Sequence, residues 1–444
     1  MVSSDMGDER QDEPERAAGG RHAAPVAGSH RTAVVVVGVV LSVLAAVGGA
    51  VAAGRHDDSD ASGPTSTAAV GSTPSTGAGG GGPPPSGSDA PTATTAAETT
   101  TTAHGPSAIT LAFAGDLLPH GPVNSQAARY GRQSGKAYDY DPMLAPMQPI
   151  ISGADVAICH MEVPVAPPGQ AVSSYPSFGS PPELVDAARD TGYDGCSNGS
   201  NHSLDRGRAG IQATLDRFDQ DGLKHAGTAR TQQEADTITT YDVEGVTVAH
   251  LSYAYGFNGY AIPSDAPWAV KQIDVGRIQA DAARARAEGA DLVVVSLHWG
   301  TEYHSEPDQY QRDTAAALLP SPDIDVIIGA HAHVVQPIQQ VEGTFVVWGM
   351  GNQLSNMSQA PRRDGLTVKL TAQRGSDGRW KVATIEGIPT WVEAGSFRVL
   401  PVVDALKDPA TSSGLRSDLI GSYDRTAAIL DPAANPGVVI APKA

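Results

Sequence analysis

Five times along this chain a short apolar run of strand character ends in side chains of metal-binding type, and this recurrence constrains the fold more than any bulk property. Ile109 to Ala114 leads into Gly115-Asp116, Val156 to Cys159 into His160-Met161-Glu162, and Leu292 to Leu297 into His298-Trp299-Gly300. The run from Asp325 to Gln336 places His331 and His333 after a β-branched strand, and Asn201-His202 follows Cys196-Ser197. In open α/β sheets, functional groups gather outside the carboxyl ends of the strands. Asp116, Glu162, Asn201, His202, His298, His331 and His333 are therefore expected on one rim.

Between these runs the sequence turns amphipathic, and the spacing predicts helices over 183–190, 208–220, 277–288 and 309–319. Gly222 and Gly289 stand where C-caps belong. Such alternation predicts an α/β fold, with parallel strands joined by helical crossovers. Phe345 to Trp348, Thr367 to Thr371 and Lys381 to Ile385 read as further strands without long helices between them. They suggest an antiparallel extension or a second sheet.

Each cluster alone has an ordinary explanation. Gly-Asp after a strand is commonly a turn, a histidine before tryptophan packs in many cores, and Asn-His is a weak signal. His-x-His says more, because alternate residues of an extended chain point the same way and bring both imidazoles to one site. Together the five fit a dinuclear site for hard or borderline divalent cations held by carboxylates and imidazoles. These donors do not distinguish Mn, Fe, Zn and Mg. Two such ions clamp the attacking and leaving oxygens of a displacement at phosphorus and generate hydroxide at neutral pH.

The N-terminal quarter contributes no core. Residues 1–31 are polar and read as a cytoplasmic tail, whereas Ala33 to Ala53, within an anchor assigned to 32–54, is apolar apart from Ser42 and about as long as a membrane-crossing helix. Arg16, Arg21 and Arg31 precede it, and Asp57, Asp58 and Asp60 follow, so the N-terminus is expected inside and the main domain outside. An uncleaved single-pass anchor in the bacterial cell membrane is the expectation, with cleavage at Ala50-Val51-Ala52 as the alternative. Residues 55–107 are rich in Ser, Thr, Pro and Gly, with too little apolar surface to fold, and are expected to form a disordered stalk. The net charge of −19 argues against a nucleic-acid partner and requires a local positive charge wherever an anion binds. Cys159 and Cys196 each lie at a predicted strand end, where a disulfide and two buried thiols are both open readings.

The motifs, taken in order, resemble a known family. Phe-Ala-Gly-Asp-Leu-Leu-Pro-His (113 to 120), His-Met-Glu-Val-Pro (160 to 164), Tyr-Pro-Ser-Phe (175 to 178), Ser-Asn-His-Ser-Leu-Asp-Arg-Gly (200 to 207), His-Trp-Gly-Thr-Glu-Tyr (298 to 303), Gly-Ala-His-Ala-His-Val-Val-Gln-Pro (329 to 337) and Gly-Asn-Gln (351 to 353) look like the CapA family of poly-γ-glutamate capsule-synthesis proteins. That family is similar in fold to calcineurin-like metallophosphoesterases. The resemblance implies a four-layer α/β/β/α sandwich over 108–395, with divalent metal ions, two by expectation, at its rim. It implies Asp116 and His333 on one metal, Asn201, His298 and His331 on the other, and Glu162 bridging. His202 would be the general acid that protonates the leaving group, and Asp205, Glu302, Gln336 and Asn352 would orient the metal-bound side chains.

Two departures qualify the carry-over. The phosphoesterases usually open with Asp-x-His, but Leu118 stands at the third position, so the first metal lacks a ligand unless His120 reaches it. His160 occupies a place where Asn is usual, and both histidines are metal or substrate candidates. Arg206 is a candidate substrate contact or an ordinary solvated arginine. Gly195-Cys196-Ser197-Asn198-Gly199 matches the nucleophile-elbow pattern of serine hydrolases, although no helix is predicted directly after it. The expected function is metal-dependent, phosphoesterase-like hydrolysis of a capsule or envelope polymer, or of its phosphorylated precursor. The alternative is a non-catalytic, metal-containing protein that binds or exports an anionic polymer within a capsule synthesis complex. Residues 396–444 carry no readable motif and are expected to form a loose tail, with at most one helix near 414–428.

Overall fold

A computed structural model describes residues 106–443, so the expected cytoplasmic tail and membrane anchor, and nearly all of the stalk, lie outside the described residues. Among the described residues no helix is long and apolar enough to cross a membrane.

The strands in chain order are β1 (Ala108–Leu117), β2 (Val156–Met161), β3 (Gly195–Ser197), β4 (Lys224–Ala226), β5 (Thr239–Val243), β6 (Val246–Ala254), β7 (Leu292–His298) and β8 (Val326–Ala330). They continue with β9 (Ile338–Val341), β10 (Thr344–Val347), β11 (Asn352–Leu354), β12 (Asp364–Arg374), β13 (Trp380–Val392), β14 (Val399–Pro401) and β15 (Val438–Ile440). One sheet runs β14-β13-β12-β1-β2-β3-β4, with β11 also on β1 and β15 also on β13. The other runs β5-β6-β7-β8-β10-β9. The β1-β2-β3-β4 and β6-β7-β8 pairings are parallel, whereas β12 and β13 form an antiparallel extension of the first sheet.

Both faces of the central strands are apolar, and the period of two divides them between layers. Leu111, Phe113, Val156 and Ile158 meet Val248, Val294, Val326 and Ile328 between the sheets. The alternate residues Ala112 and Ala157 pack outward on helices Gly121–Ser134, Glu183–Thr191 and Gly207–Asp221 through Val123, Leu184 and Phe218. On the second sheet Leu251, Val295 and Ile327 pack outward on helices Val275–Ala287 and Gln309–Leu318 through Ile278 and Leu318. Crossover helices on the outer faces leave the strand ends at one edge free to carry the donors. Cys159 and Cys196 are in register on neighbouring strands with Cα atoms 4.4 Å apart, and the two form a disulfide.

The predicted helices form with boundaries moved by one or two residues, and Gly222 adopts the left-handed C-cap with φ 74°. Residues 396–443 correct the expected loose tail. β14 and β15 both pair with β13, and helix Ser413–Leu430 packs Leu419 and Tyr423 into a cluster with Trp391, Leu400 and Val402.

Candidate metal centre

Each donor reaches the centre by its own local device. Asp116 lies at an irregularity in the pairing of β1 with both β2 and β11, opposite His160 and Asn352. The irregularity requires Gly115, because a Cβ there would lie 2.1 Å from the carbonyl oxygen of Gly351. His160 is opposite Ser197 on β3, whose hydroxyl lies 2.8 Å from its Nδ1. His298 ends β7 opposite Ala330 of β8. His331 and His333 follow β8, and here the structure corrects the expected reason for their convergence. Neither is extended: φ is 95° at His331 and 55° at His333. Left-handed backbone is costly for a residue with a Cβ, so surrounding contacts must hold this turn in place.

The donors meet in the protein interior. His333 Nδ1 lies 3.1 Å from Asp116 Oδ2, and its Nε2 lies 3.6 Å from Glu162 Oε1. His298 Nε2 is 3.9 Å from Glu162 Oε1 and 3.0 Å from Asn201 Oδ1. His160 Nε2 is 4.0 Å from Asp116 Oδ1 and 2.9 Å from His298 Nδ1. Four overlapping groups bring their donor atoms within 4.8 Å of one another: Asp116-His160-His298, Glu162-His298-His331, Glu302-His331-His333 and Asp116-Glu162-His333. Glu302, expected only to orient a ligand, therefore joins the donor set itself. All four carboxylate oxygens of Asp116 and Glu162 are buried without a hydrogen-bond partner, and so is His331 Nδ1. Buried polar atoms are normally satisfied and costly when they are not. Orphaned carboxylates set among imidazoles fit divalent cations by both charge and donor type.

Electrostatics agree with that fit. Burial pushes Glu162 well above the usual carboxylate range, and Asp116 adds to the rise. Burial lowers His298 and His331 well below the ordinary imidazole value, so both are neutral and ready to donate a lone pair. His333 goes the other way: burial lowers it, but Glu162 and Asp116 outweigh burial and raise it to about 10. The carboxylates of the centre thus hold a proton on His333 that a cation would displace.

His202 stands at the edge of this cluster on a turn. Its Nδ1 is 2.7 Å from Asp205 Oδ2, which also accepts the backbone N–H of Phe178 at 2.7 Å. The imidazole packs edge-on against Phe178, with ring centroids 4.8 Å apart. Asp205 therefore fixes the ring and leaves Nε2 to act.

The remaining candidates separate. Asn352 Oδ1 is 3.0 Å from His333 Nδ1. Gln336 has other partners: it accepts from Gln311 and donates to the carbonyls of His304 and Glu306, bracing the segment after Glu302. His120 is lowered to about 4 by burial, with His333 and His202 contributing, and its Nδ1 accepts from Asn356 N–H at 3.3 Å. It enters none of the donor groups among the described residues. Arg206 donates to the carbonyls of Phe178 and Ala171 and to Ser173, so its guanidinium clamps a loop. Ser197 of the elbow-like pattern is buried against His160, and the next helix begins only at Gly207, which removes the strand-turn-helix that an elbow needs.

Other contributors carried no motif. The Tyr255 ring lies 4.7 Å from that of His331, and Asn258 Nδ2 lies 3.3 Å from His202 Nδ1. Tyr255 follows β6 and obeys the strand-end rule, but the mixed polarity of Val246–Ala254 hid that strand. Arg362 stacks its guanidinium 3.5 Å from the ring centre of Tyr303, whose own ring lies 6.0 Å from that of His333. No carboxylate pairs with Arg362 among the described residues.

Comparison with known proteins follows this geometry. Residues 110–357 match the family described as bacterial capsule synthesis protein PGA_cap. The chain is similar to the PGA biosynthesis protein CapA of Bacillus subtilis, at 26% identity over 310 residues covering 67% of this chain and 77% of that one. It is likewise 26% identical to the capsule biosynthesis protein CapA of Bacillus anthracis over 305 residues, 67% of this chain and 70% of that one. Among solved structures it is similar to a 5'-nucleotidase precursor from Thermus thermophilus, with 14% identity, TM-score 0.41, 72% of this chain covered and 59% of that one. A calcineurin-like phosphoesterase from Bacillus subtilis gives 15% identity, TM-score 0.38, and coverage of 72% and 97%. Since the match spans more than half of the sequence, this chain belongs to the bacterial capsule synthesis protein family PGA_cap.

Proposed function

We propose that this chain is a membrane-anchored, extracytoplasmic, metal-dependent phosphoester hydrolase serving the assembly of a capsule or envelope polymer, built as a four-layer metallophosphoesterase-type sandwich. The observation that carries the reading is the set of four buried, unpartnered carboxylate oxygens of Asp116 and Glu162 among the imidazoles of His160, His298, His331 and His333. Asp116, Glu162, Asn201, His298, His331 and His333 would hold two divalent cations, with Glu302 and His160 as additional donors. When bound, such ions supply charge neutralisation at phosphorus and activation of water. His202, oriented by Asp205 through Nδ1, delivers a proton from Nε2 to the departing oxygen. Arg362 meets the anionic substrate at the rim, answering the need for a local cation in an acidic chain.

A second reading, metal-held polymer binding without turnover, is favoured by Leu118. That residue stands where the phosphoesterases usually place a histidine, and it is buried against Val163 and Phe178 with no donor to offer. One experiment separates the two. The full chain is assayed for bound metal and for manganese-supported hydrolysis of a generic phosphodiester and phosphomonoester, beside His202→Ala. Two metals and turnover lost in the variant support hydrolysis, metal without turnover supports binding, and no metal defeats both.

A further inference from the structure

We propose that Ser197 is a positioning residue for the metal centre: its hydroxyl accepts the Nδ1 proton of His160 and so keeps the Nε2 lone pair of that imidazole turned towards the donors. The role presupposes that the buried donors hold divalent cations, as read above. It also gives a use to the serine of the pattern Gly195-Cys196-Ser197-Asn198-Gly199, which forms no nucleophile elbow.

β2 and β3 pair in parallel, with Cys159 opposite Cys196 and His160 opposite Ser197. Side chains alternate between the faces of a strand, so the disulfide packs into the helix-covered outer layer while the imidazole and the hydroxyl face the other sheet. The disulfide joins the residues directly before His160 and Ser197 and fixes the register on which their contact depends. His160 is 3% exposed and Ser197 is 4% exposed. The cavity that adjoins them between the sheets measures only about 10 Å³, room for one water at most. A space of that size admits no substrate carbonyl to the hydroxyl, so the pair is not a nucleophile with its base.

The contacts form one line into the centre. Ser197 Oγ donates to the Cys159 carbonyl at 3.3 Å and lies 2.8 Å from His160 Nδ1. His160 Nε2 lies 2.9 Å from His298 Nδ1, and His298 Nε2 lies 3.0 Å from Asn201 Oδ1 and 3.9 Å from Glu162 Oε1. Protons can be arranged along this line in two ways, and only one suits a cation. A hydroxyl has a single proton to give. Given to His160 Nδ1, it leaves the imidazole proton on Nε2, which donates to His298 Nδ1; His298 then carries its own proton on Nε2, and both rings present N–H groups to the centre. Given to the Cys159 carbonyl, it lets His160 Nδ1–H donate to Oγ, and Nε2 keeps its lone pair. That lone pair either serves a cation directly or accepts Nδ1–H of His298 and frees His298 Nε2 to ligate. Both uses require the same tautomer, and the bond made by the far nitrogen sets it.

The test combines two measurements on the full chain loaded with zinc. Long-range proton–nitrogen NMR of nitrogen-15 histidine, with His160 assigned by its loss in His160→Asn, should show Nδ1 protonated and Nε2 unprotonated. Zinc affinity, read by competition with a chromophoric chelator, should weaken in Ser197→Ala by roughly ten- to a hundredfold, the usual effect of removing such an outer partner, and recover largely in Ser197→Thr, which keeps the hydroxyl. A proton on His160 Nε2, unchanged affinity in Ser197→Ala, or equal losses in the Ala and Thr variants would overturn the proposal. If either variant does not fold, the wild-type tautomer decides alone. A wild type that binds no zinc defeats the metal centre and this role with it, whereas zinc bound beside a His160 protonated on Nε2 defeats the role of Ser197 only.

Discussion

At the scale of single residues the centre is defined by what its atoms lack. Asp116 and Glu162 are buried with few donors for their four carboxylate oxygens, and His333, 3.1 Å from Asp116 Oδ2, retains a proton because those carboxylates face it. A group raised to about 10 from an ordinary value of 6.5 stabilises the metal-free fold fully below pH 6.5, and that contribution is lost as pH rises through 10. Glu162 faces His333 at 3.6 Å, so the two titrate as a pair. Cation binding must displace these protons. The gain in melting temperature on adding manganese should therefore grow from pH 5.5 to pH 8, and calorimetry in buffers of different ionisation enthalpy should detect proton release; a pH-independent gain would refute the assignment. His202 is predicted to behave differently, because it lies outside the donor groups. His202→Ala should lower kcat by roughly 10²- to 10⁴-fold with metal content unchanged, and Asp205→Asn should lower it less while shifting the pH profile. Arg362→Met should raise KM more than it lowers kcat, since its guanidinium sits on Tyr303 beside the centre, without joining a donor group.

At the scale of elements, close backbone approaches aim the donors. β8 ends at Ala330 just before the left-handed turn, and a Cβ on its Gly329 would lie 2.0 Å from the Trp348 carbonyl oxygen and 2.7 Å from Trp299 Nε1. Trp299 Nε1 donates to that same carbonyl at 3.1 Å, so the strand end has no room to shift. Gly329→Ala should cost about 1–3 kcal/mol or more by overpacking and reduce metal occupancy, as read by thermal unfolding and elemental analysis. Normal occupancy in a folded variant would show that this approach does not position His331. Much of this level was legible in the sequence. Apolar runs followed by donors located β1, β2, β7 and β8, and the amphipathic stretches located the crossover helices after β2, β3, β6 and β7 but not Gly121–Ser134 after β1. What escaped had a physical cause. The β6 sequence mixes Thr, His and Ser into its apolar pattern because its inner face carries the buried pair His250 and Ser296. The left-handed turn of His331 and His333 was invisible because tertiary contacts, not local preference, impose it. Glu302 read as an accessory because the fold alone brings it to His331 and His333.

At the scale of the whole molecule the centre depends on chain that carries no motif. Helix Ser413–Leu430 presents Arg425, which binds Asp364 through two bonds of 2.6 and 2.9 Å, and both Arg425 and Arg363 stack on Trp391. Asp364 begins β12, and its neighbour Gly365 bridges to Gly351, whose carbonyl accepts the Asp116 N–H at 3.0 Å. A continuous line of contacts thus runs from the C-terminal helix to the first metal candidate. Composition hid this, because residues 396–444 are rich in Pro, Ala, Gly and Ser, and their few apolar side chains gain meaning only against β13. Removing residues 396–444 should uncover Trp391 and strip Asp364 of Arg425, whose own side chain is 35% exposed, so that a buried carboxylate loses its hydrogen-bond donors at a cost of about 1–3 kcal/mol. That is a large share of the stability of an ordinary domain. The truncated chain should aggregate or melt far below the full chain, whereas Arg425→Met, which keeps the helix and removes the charge, should fold with a lower melting temperature. Bound metal should fall in the folded variant if the line of contacts holds Asp116 in place. A truncated chain with unchanged melting and full metal content would show that the C-terminal segment only decorates the sheet, and would confine the determinants of the centre to residues 108–395.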